Sequence, residues 1–437
     1  MGIKMTRLEN FTHDRFGLFM HFGAYSVASE PDGGEWVRST KQLTIEDYQP
    51  YVDQFNPVDF EPLEIAKKAK KAGFKYAVMT AKHHDGFCLF DSKLTHYSTA
   101  HTIGRDLVRE YIEAFRSVGL KVGIYYSLLD WHHPDFPEYG DIFAPNRHNL
   151  SRKDVPKNFD NYLKYLHGQV RELMTNYGEI NNLWLDFSYE NEPDSGLPAM
   201  TDSVWHADEL IKMVRELQPN VVINNRLSIN NISSEVNEIK YGDYTSPEQI
   251  IPPKTIKTDQ GKLVPWEACI TINDHWGFVA QDHNYKDART LIYTLVECVS
   301  KNGNLIINVA PSAKGTFSSE ADHILSDLAD WMTINQESIV GCTNSFIEEK
   351  PDWGWYTQNG DKLYAHIFER GIGPIRFEGL ANKVDYGQRL DTGADISLET
   401  PWQAEAFKND LFYNMPESQL PDDKDFVIML HLKDPQD

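Results

Sequence analysis

Residues 121–129, KVGIYYSLL, and residues 182–187, NLWLDF, are two short apolar runs, each ending in polar or aromatic groups. Between them, in the stretch 157–176, Phe159, Tyr162, Leu163, Leu166, Val170, Leu173 and Met174 recur at helical spacing and form one apolar stripe. Strand, covering helix and strand in that order make the unit of a parallel sheet. Reading outward in both directions finds more of the same texture. Candidate strands are 16–23, 75–83, 121–129, 182–187, 221–226, 239–243, 267–272 and 304–311, and Ile324, Leu325, Leu328, Trp331 and Met332 pattern a helix after the last of them. Eight is the number of strands that closes a (β/α)8 TIM-like barrel.

After about residue 339 the helical periodicity stops. Residues 355–357, 363–368, 411–413 and 426–432 read as short strands, and Asn359-Gly360 between the first two is a hairpin signal. A chain of 437 residues exceeds one ordinary core. The expected organisation is therefore an α/β barrel over 1–340 and an antiparallel β-sandwich domain over 341–437. Trp353, Trp355 and Trp402 are expected to pack that domain on the barrel rather than to bind carbohydrate. The segment 229–263 is long for a barrel loop and carries Pro247, Pro252 and Pro253, which marks it as a functional loop or a partly disordered one.

Composition narrows the function. The net charge of −23 repels a phosphate backbone, so nucleic acid is not an expected partner. No run approaches the roughly 20 apolar residues of a membrane span, so no membrane association is expected. Residues 1–11 hold no apolar stretch before a small-residue cleavage site, so a cytoplasmic protein is expected. The sequence does not fix oligomeric state, and a homo-oligomer is compatible with it. Cys88, Cys269, Cys298 and Cys342 are far apart without a CxxC pair and read as buried thiols.

In such barrels the reacting groups lie at the C-terminal ends of the strands. Here those ends carry His21, then Lys82-His83-His84-Asp85, Tyr125-Tyr126-Ser127, Trp184-Leu185-Asp186, Asn224-Asn225-Arg226, Asp243 with Glu248 shortly after, and Trp266-Glu267. A single His or Asp at a strand end is usually a hydrogen-bonded structural group or a helix cap. Loading nearly every end while the strand bodies stay apolar points instead to one shared site. Neutral donors and acceptors, an Arg and aromatic faces suit a sugar ring, and two carboxylates suit glycoside hydrolysis. Asp186 has the best position for a nucleophile.

The segments 15–23, 34–36, 82–87, 123–129, 183–186, 224–226, 266–269, 272–277 and 302–305 together resemble glycoside hydrolase family 29, the α-L-fucosidases, in the family's order. That resemblance implies a retaining exo-α-L-fucosidase with no cofactor, acting on fucosylated oligosaccharides or glycoconjugates, with Asp186 attacking C1 of fucose. It implies a fucose pocket formed by His21, Glu35, Trp36, His83, His84, Tyr126 and Arg226, with Trp184 near the fucose methyl. The acid/base varies in position across the family: Glu248 is favoured because it is loop-borne, and Glu267, otherwise a substrate-binding or structural group, is the competitor. A retaining mechanism expects the two carboxyl groups about 5–5.5 Å apart. Two departures stand out: Phe22 where the family often has Trp, and Phe187 after the nucleophile where it often has Gly.

Two rival readings exist. A metal hydrolase is suggested by His83-His84-Asp85 and His132-His133, but neighbouring residues on a strand point to opposite faces and no HxH or HExxH spacing is present, so no metal is expected. A lectin-like protein that has lost catalysis is disfavoured because both carboxylates remain. Linkage and aglycone depend on loops 30–38, 130–149 and 229–263, whose shapes the sequence does not give.

Overall fold

The computed structural model describes residues 5–31, 33–229, 239–399 and 404–433. Seven strands, β1 (Phe16–Met20), β2 (Tyr76–Lys82), β3 (Lys121–Ser127), β4 (Asn182–Asp186), β5 (Val222–Ile223), β6 (Glu267–Thr271) and β7 (Asn304–Asn308), form one parallel sheet. Their order is β5-β4-β3-β2-β1-β7-β6. Helices cover its outer face. The stripe read in 157–176 is the helix Phe159–Asn176, and Ser318 caps Ser319–Asn335 by accepting from the Ala321 N–H at 3.1 Å.

The expected eighth strand at 239–243 is not formed, and among the described residues the sheet has seven strands rather than a closed ring of eight. Asp243 explains why. Its carboxylate accepts from the Ile223 N–H at 2.9 Å, where a neighbouring strand's carbonyl would sit, and is itself held by Arg215 at 2.6 Å and Arg7 at 2.9 Å. The chain crosses the gap between β5 and β6 just afterwards through isolated bridges, Tyr244 to Asn224, Thr245 to Trp266 and Glu248 to Cys269.

Side chains alternate between the two faces of each strand. Phe19, Tyr76, Val78, Tyr125, Trp184, Val222, Cys269 and Ile306 pack together on the inner face. Leu18, Ala77, Met79, Ile124, Tyr126, Leu183 and Leu185 belong to the larger core beneath the helices. Gly17 is required for that inner packing, because a Cβ there would stand 2.3 Å from the Tyr76 ring. The helix Arg7–Asp14, opened by a capping box at Thr6, closes the underside by setting Phe11 against Tyr76 and Tyr244. All four cysteines are buried free thiols, and no helix among the described residues is long and apolar enough to cross a membrane.

Beyond the last long helix the described residues form two antiparallel sheets. One has six strands, Thr343–Asn344, Gly354–Asn359, Lys362–Ile367, Val384–Arg389, Asp395–Ile396 and Phe426–Leu432; the other has three, Ile375–Phe377, Leu398–Glu399 and Leu411–Tyr413. Leu363, Ile367, Phe377, Tyr413, Ile428 and Leu430 fill the core they share. The hairpin turn is Gly360-Asp361, with Gly360 at φ +60°. Tyr364, Val427 and Met429 pack against the core under the helices of the parallel sheet. Trp353 sits inside the core of its own sheets and donates to the Arg376 carbonyl at 3.0 Å; Trp355 faces Tyr293 of the helix Ala288–Ser300. Trp402 lies outside the described residues.

Candidate active site

A pocket of about 330 Å³ opens where the strands of the parallel sheet end. It is lined by Phe19, His21, Glu35, Trp36, His83, His84, Tyr125, Trp184, Asp186, Phe187, Arg226, Glu248 and Trp276. Period two delivers several of them. On β4, Asn182, Trp184 and Asp186 share one face, and the last of these, at the strand's end, is the carboxylate in the pocket.

Arg226 organises the charge. One terminal nitrogen contacts Asp186 Oδ1 at 3.1 Å and the other Glu248 Oε2 at 2.8 Å. Its Nε donates to Ser246 Oγ at 3.1 Å, and its guanidinium lies 4.5 Å from the Trp184 ring centre. Tyr125 donates to Asp186 Oδ2 at 2.7 Å, and Trp276 Nε1 donates to Glu248 Oε1 at 3.1 Å. Burial pushes the Asp186 carboxyl upward; the charge on Arg226 opposes that push, neighbouring Glu248 adds to it, and the Tyr125 hydrogen bond opposes it. The carboxylates differ in access: the Asp186 side chain is 10% exposed and that of Glu248 42%. Asp186 is the floor and Glu248 the rim.

The remaining lining groups are polar contacts on an aromatic frame. Glu35 is buried, accepts from the Gly277 N–H at 2.7 Å, and is pushed up to about 7 by desolvation. His21, His83 and His84 are buried, and desolvation holds all three rings neutral. His83 Nδ1 finds no hydrogen-bond partner among the described residues, which in a pocket is a place for a ligand to bond. His83 and His84 do not diverge as strand neighbours would: β2 ends at Lys82 after a register shift, and the two rings lie 4.0 Å apart, both in the pocket. Among the described residues no group of three or more His, Cys, Asp or Glu side chains is placed to hold a metal ion.

Two expected residues stand elsewhere. Tyr126 has the parity of Ile124 and faces the helices, where its hydroxyl donates to Gln169 Oε1 at 2.9 Å; its neighbour Tyr125 is the tyrosine of the pocket. Glu267 opens β6, where the run 267–272 begins, and so lies a layer below the pocket, bonded to the Tyr76 hydroxyl and to Trp184 Nε1, the latter at 3.2 Å. The sequence reading also missed Phe19 and Trp276 as lining groups. Phe187, flagged as a departure, adopts φ +90°, a conformation that favours glycine, and its ring packs 5.2 Å from Trp36 and 5.0 Å from Phe143.

The comparisons agree on one family. The model of the family described as Alpha-L-fucosidase matches residues 4–337. An α-L-fucosidase of Dictyostelium discoideum is 26% identical over 96% of this chain and 91% of its own, and the human plasma α-L-fucosidase is 30% identical over 82% and 75%. Among solved structures, α-L-fucosidase isoenzyme 1 from Paenibacillus thiaminolyticus superposes with a TM-score of 0.92 at 52% identity, covering 98% of this chain and 99% of its own. A Bacteroides thetaiotaomicron enzyme, described as a trapped covalent intermediate with 2-fluoro-fucosyl fluoride, has a TM-score of 0.83 at 27% identity, covering 99% and 98%.

Proposed function

This chain belongs to the α-L-fucosidase family, and on that premise we propose that it is a retaining exo-α-L-fucosidase with Asp186 as nucleophile and Glu248 as acid/base. The observation that carries this reading is the single guanidinium of Arg226 shared by a buried and an exposed carboxylate in one pocket. In the first step Asp186 attacks the anomeric carbon while Glu248 gives its proton to the departing glycosidic oxygen. In the second, the ionised Glu248 takes a proton from water, which attacks the same carbon and frees Asp186, so the configuration is kept.

Each placement supports its role. A nucleophile gains from the ordered floor, where Tyr125 and Arg226 fix both carboxylate oxygens. An acid must reach an oxygen that leaves with the aglycone, which suits the exposed rim. Trp184, Trp276 and Phe19 offer apolar faces to ring C–H groups and a methyl, while His21, Glu35, His83 and His84 offer directional bonds to hydroxyls. The small size of the pocket suits one terminal sugar rather than the middle of a chain. Glu267, which touches no pocket space, supports Trp184 from below.

The test uses an aryl α-L-fucoside followed by NMR during turnover. The expected first product is α-L-fucose. Incubation with 2-fluoro-fucosyl fluoride is expected to add one fluorofucosyl mass to the peptide that contains Asp186. First release of β-L-fucose, or the label on any other residue, would sink the assignment.

A further inference from the structure

Asn308 ends β7, is fully buried, and the reaction described above gives it no task. Its side chain nevertheless makes three contacts to pocket elements. Oδ1 accepts from the His21 backbone N–H at 3.1 Å and also faces His21 Nδ1 at 2.8 Å; Nδ2 donates to the Trp276 carbonyl at 2.7 Å. These partners fix which way the amide points, because a backbone N–H needs an oxygen opposite it and a carbonyl needs a nitrogen. With the oxygen facing Nδ1, the imidazole must carry its proton there. The other ring nitrogen, Nε2, is then bare and can accept.

We propose that Asn308 is a positioning residue for the hydrolysis: it sets the tautomer of His21 so that Nε2 accepts a hydrogen bond from a hydroxyl of the bound sugar, and it anchors Trp276, which holds Glu248. The two halves are linked because one amide supplies both. Among uncharged side chains only Gln carries the same amide, and Gln is longer by a methylene. The acceptor role also needs a neutral ring. Burial pushes His21 down to about 3, with the Asn308 bond opposing and the charge on Arg226 adding to the fall. His83 from the end of β2, Tyr125 from β3 and Arg226 from the segment after β5 face the ring, and the charge on Arg226 and a charge on His83 both disfavour a positive imidazole. The Trp276 arm ends on Glu248, through the indole bond at 3.1 Å.

This inference rests on the fucosidase reading, and the experiment separates them. Protein labelled with 15N-histidine, with His21 assigned by the signal lost in His21→Asn, is expected to show the His21 proton on Nδ1 in the wild type. A proton on Nε2 overturns the inference whatever the activity, and this measurement needs no folded Asn308 variant. Kinetics give the second arm. Asn308→Ala is expected to lower kcat/KM on the order of 10- to 100-fold, the scale seen when the partner that orients a site residue is removed. Asn308→Asp places a carboxylate beside Nδ1 and favours the imidazolium, so the His21 titration read from the 15N signals is expected to move at least about one pH unit upward. Variants that retain the wild-type melting temperature, rate and His21 titration overturn the role. A wild type that fails to hydrolyse an aryl α-L-fucoside sinks the fucosidase reading instead.

Discussion

The inner face of the parallel sheet holds buried carboxylates in two layers, and they are held differently. At the mouth, Asp186 meets a guanidinium and a phenol. One layer below, Glu267 meets only neutral donors, the Tyr76 hydroxyl and the Trp184 indole, and is pushed up to about 7 by desolvation. A positive partner stabilises a carboxylate as an anion; neutral donors alone leave much of the cost of burying the charge uncompensated. A carboxylate on the inner face is thus marked for reaction by the cation beside it and by access to the mouth, not by burial alone.

The largest effect expected of this contrast is on catalysis. Asp186→Asn should lower kcat on the order of 10^3-fold or more, while Glu267→Gln, which keeps the shape and both oxygen-side contacts in part, should retain activity within about 10-fold. Azide added to Asp186→Gly should yield a β-fucosyl azide, and an equal loss in both substitutions would erase the distinction between the layers. Next comes the rim. Glu248→Gln should cost on the order of 10^2-fold or more with oligosaccharides and far less with an aryl leaving group that needs no proton. Uniform loss across leaving groups would move the acid elsewhere.

A third effect is thermodynamic. Glu267 rises from its ordinary 4.5 to about 7 in the folded protein, so the native state holds a proton that the unfolded chain has released. The stabilisation is complete below about pH 4.5 and is lost as pH climbs through 7, about 3 kcal/mol at most. Urea unfolding at pH 5 and pH 8 should therefore show wild type losing more stability than Glu267→Gln over that interval. Equal losses would show that Glu267 is already ionised at pH 5. The smallest effect concerns Phe187 at φ +90°. Phe187→Gly should be more stable than Phe187→Ala by about 1 kcal/mol, the reverse of the order at an ordinary position. Thermal melts of the pair decide it.

Strand bodies and helical stripes were legible because burial imposes periods of 2 and 3.6 on the apolar residues. The pocket was legible as an accumulation of polar strand ends. What failed was parity and direction. In KVGIYYS both tyrosines are equally apolar and equally able to donate, and only the sheet's sense of inside, with Gly123 and Tyr125 on one face, separates Tyr125 from Tyr126. Glu267 misleads because Trp266-Glu267 has the aromatic and acidic texture of the strand ends although it opens its own run, 267–272. The strand sought at 239–243 fell to a side chain, Asp243, that occupies the hydrogen bond a backbone would need. Asn308 was hidden inside an apolar run, where one polar residue reads as noise until its three partners are seen.

The bridges that replace the eighth strand separate the two carboxylates mechanically. Asp186 rides on a strand laddered to β3 over its whole length, whereas the segment that carries Glu248 is tied to β6 by backbone hydrogen bonds from Thr245 to Gln249 that are interrupted at Pro247, which has no N–H to give. A complete ladder resists displacement of any one rung, and a missing rung leaves one point of the chain less firmly held. The proposed nucleophile thus stands on the unbroken support, and the proposed acid beside the gap.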